Sequence, residues 1–139
     1  MNQTLGCVTF LVRDYDEAIA WFVDVLGFRL DEDSHLGEGK RWVVVAPPGS
    51  TETRLLLARA ATDAQHTQVG RQAGGRVAFF LHTDDFAGDF AMLRARGVVF
   101  EEAPRHESYG TVAVFKDLYG NRWDLLEPTR STAVGTGES

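Results

Sequence analysis

The sequence predicts an α+β fold made of two βαβββ modules. Three observations indicate it: a helical pattern ending in glycine occurs twice, β-prone runs flank each copy in the same order, and a polar stretch separates the copies. The helical segments align as DYDEAIAWFVDVLGFRL, residues 14–30, and DDFAGDFAMLRARGVVF, residues 84–100. One such module leaves a sheet face uncovered, so two in one chain predict a paired, curved arrangement.

The first module is predicted over about residues 5–59. Its helix is expected to be capped by Asp14 or Asp16 and to stop at Gly27, where glycine suits a helix C-terminus. Residues 31–40, DEDSHLGEGK, are acidic and without helical period, and they are expected to form a flexible loop. The predicted strands of this module are 8–12, 28–30, 42–45 and 53–58.

The second module is predicted over about residues 76–128, after a polar linker over about 60–75. The two modules together are expected to make one domain over 1–128. The tail, residues 129–139, has no apolar periodicity and is expected to be disordered. The predicted strands of this module are 77–81, 98–100, 111–115 and 122–126, with the helix between the first two.

Composition narrows the class of protein. The chain has 139 residues, 44% of them hydrophobic, which suits one globular domain with an ordinary core. A net charge of −6 argues against nucleic acid as a partner, because phosphate backbones are bound by clustered Lys and Arg. No apolar run approaches the roughly 18–20 residues of a membrane span, and no signal segment is evident. These features predict a cytoplasmic protein with no membrane partner, and the single Cys7 excludes an internal disulfide.

Two longer segments carry a family resemblance. They are CVTFLVRDYDEAIAWFVDVLGF, residues 7–28, and DLYGNRWDLLEP, residues 117–128. In this order and separation they resemble the vicinal oxygen chelate superfamily, which includes glyoxalase I, extradiol dioxygenases, bleomycin-resistance-type binding proteins and fosfomycin-modifying enzymes. The resemblance covers about residues 5–128. It implies a U-shaped sheet around a cleft and a homodimer, whereas the reaction stays open because one fold hosts many chemistries.

The resemblance also implies where a metal ion would bind. In the metal-dependent members, four inward strand positions supply ligands, usually His and Glu or Gln, and the ion chelates vicinal oxygens of the substrate. The corresponding positions here are Cys7, Leu56, either Ala78 or Arg76, and Asp124. Leucine has no donor atom and a guanidinium repels a cation, so a hard, octahedral ion would find a poor site. No cofactor is therefore expected, and the alternative is a divalent metal on Cys7 and Asp124.

The same positions predict a small-molecule site instead. Strand alternation places residues 76, 78, 80 and 82 on one face, and Trp123 is expected to face away from Asp124. Arg76 has two open roles, an ion pair with Asp124 or a grip on a ligand oxyanion, and we predict that Asp124 meets it directly or through a water or ligand. The predicted ligand-binding residues are Cys7, Arg76, Phe80, His82, Tyr109 and Asp124.

His82 is the candidate catalytic residue. Its intrinsic pKa suits a general base near neutral pH, and the alternative is a structural histidine at a strand end. Tyr109 enters the set because it lies in the polar stretch 106–110, HESYG, and loops often carry function.

The leading functional hypothesis is a glyoxalase or bleomycin-resistance-like protein that binds a small aromatic or anionic ligand without the usual divalent metal. It leaves open sequestration and metal-free acid–base chemistry. The alternative is a metal-dependent lyase, isomerase or dioxygenase in which Cys7, Asp124 and either His82 or His106 converge on one ion. A third hypothesis is a partner-binding module with a collapsed cleft.

Overall fold

The computed structural model describes residues 1–130, which form two compact units. The first unit contains residues 1–75 together with Asp117–Asn121, and the second contains Arg76–Lys116 and residues 122–130. The predicted disordered tail, 129–139, falls outside the described residues except for its first two positions.

The first unit is a four-stranded mixed sheet with two short helices. Strand β1 pairs in parallel with β4, and β4–β3 and β3–β2 are antiparallel, which gives the order β1-β4-β3-β2. Helix α1 continues into a π-helical turn over Trp21–Val25. The elements are β1 (Cys7–Val12), α1 (Tyr15–Ala20), β2 (Arg29–Gly37), β3 (Lys40–Ala46), β4 (Arg54–Arg59) and α2 (Asp63–Gln68).

The second unit repeats this plan. Its elements are β5 (Val77–His82), α3 (Phe86–Ala95), β6 (Arg105–Glu107), β7 (Gly110–Lys116) and β8 (Arg122–Pro128). The strand order is β5-β8-β7-β6, again with one parallel pair at the start and two antiparallel pairs after it. The α+β fold of two βαβββ modules that the sequence predicts is therefore confirmed.

The predicted flexible loop over residues 31–40 is wrong, because these residues form most of a β-hairpin. Strand β2 runs to Gly37 and pairs with β3 along its length, with two register shifts. The Arg41 guanidinium lies 2.8 Å from Asp33 across the hairpin. Nearly all of β2 is exposed, and both of its faces carry polar side chains. The alternation that reveals a half-buried strand is therefore missing, and charges on an edge strand also discourage pairing with other chains.

Two smaller differences concern polar stretches. The predicted linker 60–75 contains α2, whose N-cap Thr62 accepts a hydrogen bond from the Gln65 amide. Strand β6 lies in a polar run for which no strand was predicted. The predicted strand 98–100 contributes only an isolated bridge from Phe100 to Phe115.

Each unit has a core of aromatic and branched residues on one face of its sheet. In the first unit, Phe10 meets Phe22 edge to face at 5.1 Å between ring centroids. In the second, a chain of rings leads from α3 to the sheet: Phe90, Phe100, Phe115, Trp123 and Phe79 follow one another at 4.5–5.8 Å. The helix of the second unit thus covers the face that carries Phe115 and Trp123.

Candidate functional site

Asp124 lies in an interior strand of the second sheet, on the face opposite α3. Its register partners are Phe80 on β5 and Val114 on β7, and in-register residues of neighbouring strands share a face. Trp123 and Leu125 point to the other side, where they are 2% and 0% exposed. The prediction that Trp123 faces away from Asp124 is confirmed.

We call this face of β5 and β8 the open face, and it is defined by Phe80, His82, Asp124 and Leu126. Phe80 is 61% exposed, whereas the neighbouring half-buried Phe79 contacts the Trp123 ring at 4.7 Å between centroids. His82 is exposed and pairs in register with the half-buried Leu126. The local sequence VAFFLH therefore turns one phenyl ring toward Trp123 and exposes the next.

The Asp124 carboxyl is an unsatisfied acceptor within the described part of the chain. Its Oδ1 is buried and accepts no hydrogen bond from residues 1–130. Burial raises the pKa of Asp124, the charge of Glu102 raises it further, and the Arg105 and Arg122 guanidinium groups lower it. A buried acceptor without a donor costs free energy. Such a group is a candidate for contact with something other than this chain.

The cations around Asp124 are already engaged with other carboxylates. Glu102 takes a hydrogen bond from Arg105 Nε at 2.9 Å and another from the Val114 amide at 3.2 Å. Arg122 Nε donates to Glu101 at 3.1 Å. The Arg105 and Arg122 guanidinium groups therefore lower the pKa of Asp124, but each is hydrogen-bonded to a glutamate instead.

The predicted direct ion pair between Arg76 and Asp124 is wrong. Among residues 1–130, no ion pair or hydrogen bond joins them, and Arg76 is exposed just before β5 begins. The reason is a register shift between Val77 and Phe79, which makes Val77 the partner of Arg122. An extra residue in the strand breaks the alternation on which the prediction relied, so position 76 does not continue the face of position 80. A role of Arg76 in binding a ligand stays a prediction.

Tyr109 lies at the turn between β6 and β7 and is 52% exposed. Its carbonyl accepts a hydrogen bond from the Thr129 amide at 2.8 Å. Arg105, at the start of the same hairpin, donates to Glu102 and Glu107, and these hydrogen bonds raise the pKa of its guanidinium.

His106 lies on β6, with Nδ1 3.2 Å from Thr111 Oγ1 on the opposite strand. The stretch HESYG is therefore a hairpin end, and it places Tyr109 and His106 in the same unit as Asp124.

Cys7 is the first residue of β1 in the first unit. It is half-buried and pairs in register with Arg54, and Thr9 of the same strand pairs with Leu56. Alternation therefore places Cys7 and Leu56 on one face, opposite to the buried Phe10. The two positions that the resemblance assigns to this module do share a face, but Leu56 has no donor atom.

The residues present do not fit the divalent metal that the resemblance implies. The described residues contain no group of three or more His, Cys, Asp and Glu side chains that could hold an ion. In the second unit, Ala78 offers no donor beside Asp124, and both Glu102 oxygens accept N–H groups of the chain. A hard cation needs several oxygen donors in one place, and this set does not supply them.

Sequence reasoning missed Glu102 and Arg105 because the polar run before β7 reads as loop. The run EEAPRHE over 101–107 carries no alternation that would have revealed the short edge strand.

Comparison with known proteins assigns the family. A model of the Glyoxalase/Bleomycin resistance protein/Dioxygenase superfamily matches residues 4–125, and the chain belongs to this superfamily. A protein of Shewanella frigidimarina, strain NCIMB 400, is 52% identical over 128 residues, which cover 91% of this chain and 95% of the relative.

Solved structures show the same fold. UcmS2 is 30% identical, with a TM-score of 0.79, and the match covers 91% of this chain and 99% of UcmS2. TnmS3, an antibiotic binding protein from Streptomyces sp. CB03234, is 29% identical, with a TM-score of 0.72 and coverage of 93% and 98%. Within residues 1–130, no helix has the length and apolar character needed to span a bilayer.

Proposed function

We propose that the protein binds a small organic ligand with an aromatic ring on the open face, and that it does so without a divalent metal. One observation carries the proposal: Phe80, 61% exposed, is the register partner of Asp124, whose buried Oδ1 accepts no hydrogen bond from the described residues. Small-molecule sites combine apolar surface with a few placed polar groups, and this pair supplies one of each.

The neighbouring residues extend the surface. His82 lies two residues along β5 from Phe80 and supplies an imidazole at the same face. Tyr109, at the hairpin end of the same unit, is the further proposed contact residue. Aromatic ligands gain about 0.5–1.5 kcal/mol from ring pairing beyond area burial.

Sequestration is the activity that this surface supports best. The antibiotic-binding TnmS3 shares the fold over nearly its whole length, which supports a binding role for this chain as well. Acid–base chemistry with His82 as general base is the second form of the proposal, because an exposed imidazole beside a ligand can move protons near neutral pH. Both forms are expected to operate in the cytoplasm.

We further propose that the working form is a homodimer. Trp42 and Leu36 in the first unit remain 39% and 58% exposed, and apolar side chains of this size favour burial against a partner. Sedimentation equilibrium is expected to give twice the chain mass of 15.4 kDa. A mass of one chain across the micromolar range would contradict the dimer.

The ligand site is tested by screening aromatic compounds with ligand-observed NMR against protein treated with a chelator. Hits are then titrated into Phe80→Ala, which removes the displayed ring. We expect their affinity to fall about tenfold or more, because the loss combines ring pairing with buried apolar area.

Val99→Ala is the matched control, because Val99 is 73% exposed in the same unit but follows α3. Its affinity for the hits is expected to equal that of the parent chain. Equal binding by Phe80→Ala would contradict the site. Retention of about one Ni, Zn, Mn or Fe ion per chain, with binding that depends on it, would support the metal-dependent alternative.

A further inference from the structure

We infer that the ligand presents a hydrogen-bond donor, a hydroxyl or a protonated amine, to Asp124, and that it is not an aromatic carboxylate. This inference rests on the proposed function and names the class of ligand that the open face accepts. It differs from the expectation of an anionic ligand held by Arg76.

The first step is the state of the Asp124 carboxyl. An ionised carboxylate only accepts hydrogen bonds, and Oδ1 receives none from residues 1–130 although it is buried. Asp124 as a residue is half-buried, and a ligand N–H or O–H that reaches its carboxyl group would supply the missing donor. Hydrogen bonds to charged groups are stronger than neutral ones. Satisfying an existing unmet acceptor adds affinity without a new desolvation cost on the protein side.

The second step is the distance between the ring surface and the acceptor. Phe80 and Asp124 are neighbours in register on adjacent strands, which places their side chains about 5 Å apart on one face. A ligand ring that stacks on Phe80 therefore brings its own substituents to Asp124. The donor must be attached directly to the ring or one bond away from it.

The third step is the charge around Asp124. The nearby cations are already paired with other acids, Arg105 with Glu102 and Glu107, and Arg122 with Glu101. Arg76 lies outside β5, where the register shift takes it off the open face. Within residues 1–130, a ligand carboxylate on this face would therefore meet Asp124 while the nearby guanidinium groups are paired with other acids, and like charges repel.

The test uses three probes with one ring system: 2-naphthol, 2-methoxynaphthalene and 2-naphthoate. They differ in whether the substituent donates, only accepts, or carries a negative charge at near-neutral pH. Affinities are measured by fluorescence titration of the intact chain. We expect 2-naphthol to bind about tenfold more tightly than either of the other two probes. One hydrogen bond to a charged acceptor contributes enough free energy for a difference of this size.

Two variants test whether the Asp124 side chain causes the preference for 2-naphthol. Asp124→Leu is expected to bind 2-naphthol and 2-methoxynaphthalene equally, since the acceptor is gone. Asp124→Asn keeps a carbonyl acceptor without the charge and is expected to retain part of the preference. Circular dichroism and thermal unfolding of each variant show whether it is folded.

The outcomes separate this inference from the proposed function. Equal affinity for 2-naphthol and 2-methoxynaphthalene, both lost in Phe80→Ala, would overturn the donor and keep the site. Tightest binding of 2-naphthoate would overturn the inference in favour of an anionic ligand. If none of the probes binds and the wider screen yields no hit, the proposed function itself is wrong.

Discussion

At the scale of single residues, Asp124 has the strand and the face that the sequence predicts, but different neighbours. Its strand, its face and the opposite orientation of Trp123 follow from alternation and from the resemblance. Its surroundings do not, because Arg76 was expected beside it and the register shift in β5 removes Arg76 from that face. A single inserted residue in a strand leaves no clear mark in the sequence, whereas it changes every contact beyond it.

The raised pKa of Asp124 predicts a pH-dependent effect on stability. Burial favours the protonated form in the folded chain, so this group contributes stability below its unfolded pKa of about 3.9 and loses it as pH rises through the higher folded value. Asp124→Asn should therefore raise the free energy of unfolding near pH 7 by about 1 kcal/mol. The gain should shrink as pH falls toward 4. Chemical denaturation across that pH range measures it.

Asp84→Asn serves as the comparison, since Asp84 is exposed in the same unit. Its stability is expected to match the parent chain at each pH. A less stable Asp124→Asn near pH 7 would show that the carboxylate has a stabilising partner in the folded protein.

At the scale of elements, the turn Asp117–Asn121 between β7 and β8 is held by a network of hydrogen bonds. Asp117 is 6% exposed, and its Oδ1 accepts from the Tyr119 and Asn121 amides at 2.9 and 3.0 Å. Its Oδ2 accepts from the Asn121 side chain at 3.0 Å. These bonds explain why the sequence DLYGN forms a turn: a carboxylate closes the loop on its own backbone.

The turn is also bonded to the rest of the first unit. Asn121 Oδ1 accepts from the Gln72 amide at 3.2 Å, and the Tyr119 hydroxyl donates to Glu17 at 2.8 Å. A Cβ at Gly70 would collide with the Tyr119 backbone, so a larger residue is excluded there. Both the turn and the predicted linker therefore have structural roles that composition alone does not reveal.

Replacing Asp117 tests this account of the turn. Asp117→Ala leaves two backbone amides and one side-chain amide without their acceptor, which should lower the free energy of unfolding by about 2–3 kcal/mol. Denaturant titration measures the loss, and Asp84→Ala controls for removal of an acidic side chain. A loss below about 0.5 kcal/mol would mean that the turn is held by other contacts.

At the scale of the whole molecule, the two-module plan was predictable because it depends on strong periodic signals. Phe22, Leu26 and Gly27 mark the first helix and its end, and Phe90, Leu93 and Gly97 mark the second. Strand β2 and strand β6 were not predictable, because their exposed polar residues carry no alternation. Elements with a buried face show a periodic hydrophobic pattern in the sequence, whereas exposed edge strands show little of it.

The candidate site shows the same limit. Phe80, His82 and Asp124 were placed together correctly by alternation within short strands. Glu102 and Arg105, which set the charge around Asp124, come from a segment whose pairing depends on β7. Cross-strand contacts of this kind require the register, and the register is a property of the folded sheet.

The central claim is that the open face binds an aromatic ligand and needs no metal. The most direct measurement is the affinity of a screened aromatic ligand for the parent chain and for Phe80→Ala, each before and after treatment with a chelator. The account predicts that the chelator leaves the affinity unchanged and that loss of the Phe80 ring lowers it about tenfold or more. Binding that disappears with the chelator, or that ignores Phe80, would contradict it.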